Sequence, residues 1–173
     1  MVEKEDIIIN RVEKSGLVTF NLEDYVDYKE RIIYDLADNL FQGLILKEKD
    51  FRTFIKENDW AQYERKNVAI ICSADAIVPS WAFMLLASKM LPYANAIVFG
   101  SMADLEKQLI KAALNNIDFT QYQNAKIIIK GCANLPESEY ALVELTKKLL
   151  PFAASIMFGE PCSTVPIYKA QKK

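Results

Sequence analysis

Histidine is missing from the chain altogether. That excludes Ser-His-Asp and Cys-His catalysis, histidine metal ligands and a histidine general base. Glycine is scarce, five residues in 173, and no phosphate-loop or GxGxxG pattern occurs. Nor is there an excess of basic charge. The 21 Lys/Arg against 23 Asp/Glu leave a net charge of −2 and a pI near 5.3, so there is no electrostatic footprint for nucleic acid or an anionic membrane. Long apolar runs are absent too. The most apolar stretch, Ala74 to Ala87, is broken by Asp75, Pro79 and Ser80 and falls short of the roughly 20 residues a bilayer span needs. The acidic start, Met1-Val-Glu-Lys-Glu-Asp6, leads into only Ile7 to Ile9, unlike a secretory signal. Cysteine is limited to positions 72, 132 and 162, an odd and widely spaced set that does not make a disulfide framework. The expectation is a cytoplasmic protein with reduced thiols and neither nucleic-acid nor membrane partners.

What is present is the balance of a globular protein, 51% apolar and 25% charged, in a length that folds without a metal or disulfide. The most informative feature is a duplication. Offset by 59 positions, Gln62–Gly100 matches Gln121–Gly159 without a gap at 13 of 39 positions, among them Gln62-Tyr63, Leu91-Pro92 and Phe99-Gly100. Each copy reads as a βαβ unit. The first has strand Val68–Cys72, a helix from Pro79 to Leu91 stopped by Pro92, and strand Ala96–Phe99. The second has strand Lys126–Lys130, helix Glu137–Leu150 stopped by Pro151, and strand Ser155–Phe158. Between them Ser101-Met-Ala-Asp104 resembles a capping box, followed by Leu105, Leu109 and Ala112 at helical spacing. Right-handed crossovers make the strands largely parallel.

The fold expected is therefore α/β, a largely parallel sheet built from two tandem βαβ repeats, with an N-terminal α+β segment packed on it. One domain of 173 residues would comprise residues 1–66, the first copy 67–100, a connecting helix 101–125, and the second copy with its tail, 126–173. Within 1–66, Leu17–Leu22 and Arg31–Asp35 read as strands and Leu44–Glu57 as a helix weakened before it by Gly43. Helix 79–91 carries Lys89 as its only charge and is expected to be covered on most sides, with Trp81, Met84 and Leu85 inaccessible. Helix 137–150 has Glu144, Lys147 and Lys148 on an exposed face, with Glu144 and Lys148 at pairing distance. Tyr63, Tyr122, Trp60 and Trp81 read as packing residues.

The candidate chemistry lies at the strand ends. Cys72 ends the first strand of copy one, Cys132 follows the first strand of copy two, and Cys162 follows the last strand in Gly159-Glu-Pro-Cys-Ser-Thr164. In one parallel sheet these ends share the edge where α/β folds place ligands, with Asp75 and Glu160 near by. Three readings stand: a metal or iron–sulfur site on Cys72, Cys132, Cys162, Asp75 and Glu160, a reactive thiol, or inert cysteines serving as small hydrophobes. No CxxC or other local chelate spacing selects among them. The missing histidine and the lack of a paired acid–base motif weigh against an enzyme.

Four stretches resemble a known family, the domain of unknown function 2480. They are Gly16-Leu-Val-Thr-Phe-Asn-Leu-Glu-Asp-Tyr25, Gly43-Leu-Ile-Leu-Lys-Glu-Lys-Asp-Phe-Arg52, Cys72-Ser-Ala-Asp-Ala-Ile-Val-Pro79 and Gly159-Glu-Pro-Cys-Ser-Thr-Val-Pro166. The resemblance implies a bacterial cytosolic protein and brings no catalytic residues to carry over. It also implies an association with iron–sulfur cluster assembly genes, hence an accessory role in cluster or thiol handling. The alternative is a non-catalytic module resembling anti-sigma-antagonist (STAS) domains, which act by binding proteins. Either role predicts a protein partner and is compatible with a homodimer.

Overall fold

The computed structural model describes residues 16–131, 134–160 and 162–171. Along the chain lie β1 (Leu17–Phe20), β2 (Arg31–Asp35), α1 (Glu48–Glu57), β3 (Asn67–Ile71), α2 (Ser80–Met90), β4 (Ala96–Phe99), α3 (Met102–Asn115), β5 (Lys126–Ile129), α4 (Ser138–Leu149), β6 (Ser155–Glu160) and β7 (Ser163–Lys169). The fold is mixed α/β and mostly parallel, as the βαβ pattern requires. The described residues form two compact units, one of Asp27–Ala112, the other of those from Gly16 to Val26 together with those from Ala113 onward.

In the Asp27–Ala112 unit the sheet runs β2-β3-β4, all parallel, with Arg31 opposite Asn67 and Asn67 opposite Ala96. One face carries the larger core. There α2 sets down Ala82, Leu86 and Met90, a row at i, i+4, i+8, on Val68, Ile70 and Tyr34, beside Phe51 and Ile55 of α1. Trp60 closes this core and donates its Nε1–H to Ile55 O at 2.9 Å. On the other face Leu105 and Leu109 of α3 cover Ala69, Ala96 and Val98. The capping box at the start of α3 is reciprocal. Ser101 N donates to Asp104 Oδ2 at 2.8 Å and Asp104 N to Ser101 Oγ at 3.3 Å.

In the other unit the order is β1-β5-β6-β7, with the first three parallel and β7 antiparallel to β6. Ala141, Leu145 and Leu149 of α4 are fully buried and occupy the places of Ala82, Leu86 and Met90. The duplication extends to the main chain. Asp59 and Asp118 each cap a 3₁₀ turn at 3.0 Å, through Ala61 N and Thr120 N. Gln62 and Gln121 donate back to the carbonyls of those same aspartates at 2.7 Å. Arg65 and Asn124 share a positive φ, 58° and 60°, and donate to Tyr93 O and Phe152 O at 2.9 and 2.8 Å. Tyr63 and Tyr122 are buried packing residues, which accounts for the repeated Gln-Tyr.

Several expectations are corrected. The two βαβ copies lie in two sheets rather than one, and the N-terminal segment joins those sheets rather than only packing on them. β2 fills the free side of β3, β1 fills the free side of β5, and β7 fills that of β6, so neither copy has an inner strand left to pair with the other. Helix α2 is not covered on most sides: Met84 is 72% exposed and only Ala82, Leu86 and Met90 are buried, with Trp81 and Leu85 half-buried. An apolar composition all round a helix does not imply burial all round, because the sheet takes only one row. On α4, Glu144 and Lys148 are half-buried. Glu144 pairs with Lys147 at 2.6 Å, and Lys148 reaches Asn115 Oδ1 at 2.8 Å. The helix expected from Leu44 starts at Glu48, because Gly43 (φ +69°) and a Phe41–Ile45 bridge turn the chain first.

The buried tyrosines give a prediction. Burial pushes Tyr34 well above the usual phenol range and raises Tyr63. Burial, with the hydrogen bond and charge of Tyr25 adding to it, pushes Tyr122 up to about 12. The unfolded chain releases these protons from about pH 10, while the folded chain keeps them. Stability is thus undiminished below about pH 10 and falls as pH rises through about 12. Denaturation midpoints measured between pH 9 and 12, alongside phenolate absorbance, should show this fall.

Candidate functional site

At the C-terminal ends of β2-β3-β4, the turn after β3 holds Cys72, Ser73 and Asp75. Cys72 is half-buried and its thiol donates to Ala74 O at 3.7 Å. Asp35 Oδ1, at the end of β2, accepts from Ser73 N and Ala37 N, both at 3.0 Å. Slight burial opposes its ionisation, but the hydrogen bonds from Ser73 and Ala37 prevail and hold Asp35 below the usual carboxylate range. Asp75 is exposed in the same turn. An apolar group adjoins it: Ile45 forms a parallel bridge with Ile77, and Ile77 is 89% exposed.

Glu160 ends β6 and Cys162 sits in the turn to β7, both exposed. Gly159 (φ +119°) belongs to this hairpin: an added Cβ would meet Ser163 O at 2.6 Å, so the turn requires glycine. Cys132 lies outside the described residues. Cys72 and Asp75 therefore belong to one unit and Glu160 and Cys162 to the other. The single shared strand-end edge expected from the sequence is replaced by the edges of two sheets. Among the described residues, no three His, Cys, Asp or Glu side chains form a group that could hold a metal.

The site that sequence reading missed lies at the opposite ends of β2, β3 and β4. Arg31 presents a two-pronged contact to Glu106 of α3, Nε to Oε1 at 2.8 Å and Nη2 to Oε2 at 3.3 Å. The same guanidinium donates to the carbonyls of Lys29 and Asp27. Asn95 Nδ2 donates to Asp27 Oδ2 at 2.7 Å and to buried Asn67 Oδ1 at 2.8 Å, while Lys29 Nζ reaches Asn95 Oδ1 at 3.0 Å. Burial disfavours the Asp27 carboxylate, but hydrogen bonds and charge from Lys29 outweigh it and lower its pKa. These contacts pin the start of the sheet. The available signal was that copy two has Lys126 and Ala154 where copy one has Asn67 and Asn95.

The outer face of α2 is the third feature. Met84 and Leu91 are each 72% exposed and, seven residues apart, lie on one stripe. Trp81 stands beside them under Arg52, whose guanidinium carbon is 5.4 Å from the ring centroid. The matching positions on the second copy, Val143 and Leu150, are also exposed. No helix among the described residues is long and apolar enough to cross a membrane.

These features define an α/β protein of two βαβ copies, each completed by a strand from the N-terminal segment, with exposed apolar helix faces. A family model, "Protein of unknown function (DUF2480)", matches residues 6–170. The chain belongs to that family. Comparison with curated proteins and with solved structures gives no match.

Proposed function

We propose that the protein is a non-catalytic interaction module that docks a protein partner on the outer face of α2, acting through its surface as STAS-like modules do. The observation that supports this reading is the Met84–Leu91 stripe, which a protein without a partner would be expected to cover or charge. A photo-crosslinking residue in place of Met84 should give discrete protein adducts in native cells, whereas one in place of exposed Lys111 should not. Adducts from neither position, or equally from both, would remove the support.

A role in iron–sulfur or thiol handling is the second reading, supported by the exposure of Cys162 in the β6–β7 turn. Under native conditions iodoacetamide should modify Cys162 well before half-buried Cys72, as mass mapping would show. Iron and sulfide that copurify with the protein and are lost in Cys162→Ser would favour this reading. Copurified metal unaffected by that change would count against it.

A further inference from the structure

The two copies differ at one edge. In the second copy, β6 is flanked on its outer side by β7, and Ile156 and Phe158 pair with Tyr168 and Val165. In the first copy the corresponding strand is β4, with Ile97 and Phe99 in those places, and no strand among the described residues lies on its outer side. Gly100 N donates inward to Ile70 O at 3.0 Å. With the two-residue period of a strand, Val98 then also faces β3, whereas Ile97 and Phe99 turn their N–H and C=O outward.

A groove of about 520 Å³ runs along this edge, roofed by Gln108, Leu109 and Ala112 of α3. Edge strands are usually guarded by charge, proline or a bulge. Asn95 to Gly100 contains no charged residue and no proline, and Phe99 is 71% exposed.

We propose that β4 is a dimer seam, pairing antiparallel with β4 of a second copy to give a continuous six-stranded sheet. Three observations favour a second copy as occupant. The strand that flanks the equivalent position, β7, is antiparallel, the orientation a two-fold axis imposes. The strand carries no charge, so self-pairing meets no repulsion. The outward groups of Ile97 and Phe99 also match themselves under that axis. Ile97 of each copy faces Phe99 of the other, forming four main-chain hydrogen bonds, and Val98 lies opposite Val98 in the narrow, non-hydrogen-bonded position. This inference does not rest on the α2 docking face.

Sedimentation of the full chain at increasing concentration tests it. Wild type should dimerise. Phe99→Pro removes an outward donor, leaves the Gly100–Ile70 bond in place, and should weaken dimerisation at least tenfold. Phe99→Lys, which keeps the backbone donor, should weaken it as well and serves if the proline variant does not fold. Val98→Cys should form a disulfide mapped between the two copies of position 98 under mild oxidation, since paired Cα atoms there lie about 4.5 Å apart. A wild-type monomer at high micromolar concentration, a dimer indifferent to both Phe99 changes, or a dimer without the position-98 disulfide would each overturn the proposal.

Discussion

Replacing Glu106 with alanine should lower stability by about 3 kcal/mol, the low end of the range for breaking a buried ion pair. The loss arises because Arg31 stays behind. Its guanidinium, with a side-chain exposure of 18%, would keep its bonds to the Lys29 and Asp27 carbonyls but lose the only carboxylate within 4.0 Å among the described residues. That residual exposure is why the upper end of the range is not expected. Removing both charges together, as Arg31→Met with Glu106→Met, should cost less than Glu106→Ala alone, since no uncompensated charge remains. The exposed pair Glu48–Arg52, at the same 2.8 Å, sets the contrast. Water screens both groups, and Arg52→Ala should change stability by less than about 1 kcal/mol as far as that pair is concerned. Urea unfolding of these variants gives the comparison directly.

Leu86→Ala should cost about 2–5 kcal/mol, and Leu145→Ala a similar amount, because each empties a fully buried position against its sheet. Leu85→Ala, at a half-buried position, should cost clearly less. The ordering distinguishes a helix that buries one row from one surrounded on all sides. Equal losses at 85 and 86 would mean that α2 is covered on its flank as well. Met84→Glu, at an exposed position, should leave the unfolding midpoint nearly unchanged, which also makes it a clean probe of the proposed docking face.

The local parts of this fold were legible because their signals are local. Pro92 and Pro151 stop their helices where steric clash demands, Ser101 and Asp104 cap α3 across three residues, and β2 and β4 coincide with apolar runs bounded by polar residues. The conserved spacing of the copies carried the rest of each βαβ unit. The partition into two sheets was not legible. The handedness of crossovers constrains each copy but says nothing about whether two copies share a sheet. The deciding pairings, β1 with β5 and β2 with β3, leave no mark in either strand's own pattern. The same applies to Arg31 and Glu106, 75 positions apart: neither neighbourhood shows that the other exists. Helix α2 failed for a different reason. With one charge in the helix there is no polar face from which to read an orientation, so the outward turn of Met84 had no periodic signature. Cys72 directly follows β3 and Cys162 lies between β6 and β7, but the inference that the cysteines share an edge depended on the single sheet.

The order in which the strands enter their sheets has a consequence for synthesis. Arg31 pairs with Asn67, 36 positions on, whereas Leu17 pairs with Lys126, 109 positions on. Closing the longer loop costs about 1 kcal/mol more in chain entropy, and it cannot begin until β5 has left the ribosome. By then every residue of the Asp27–Ala112 unit has been made. The nascent chain thus meets a waiting period in which β1 has been translated but has no partner, with the whole of another sheet to be assembled before one arrives. A short, uncharged strand in that situation is exposed to capture by other edges. Four residues, Leu17-Val-Thr-Phe20, keep that interval's hazard small.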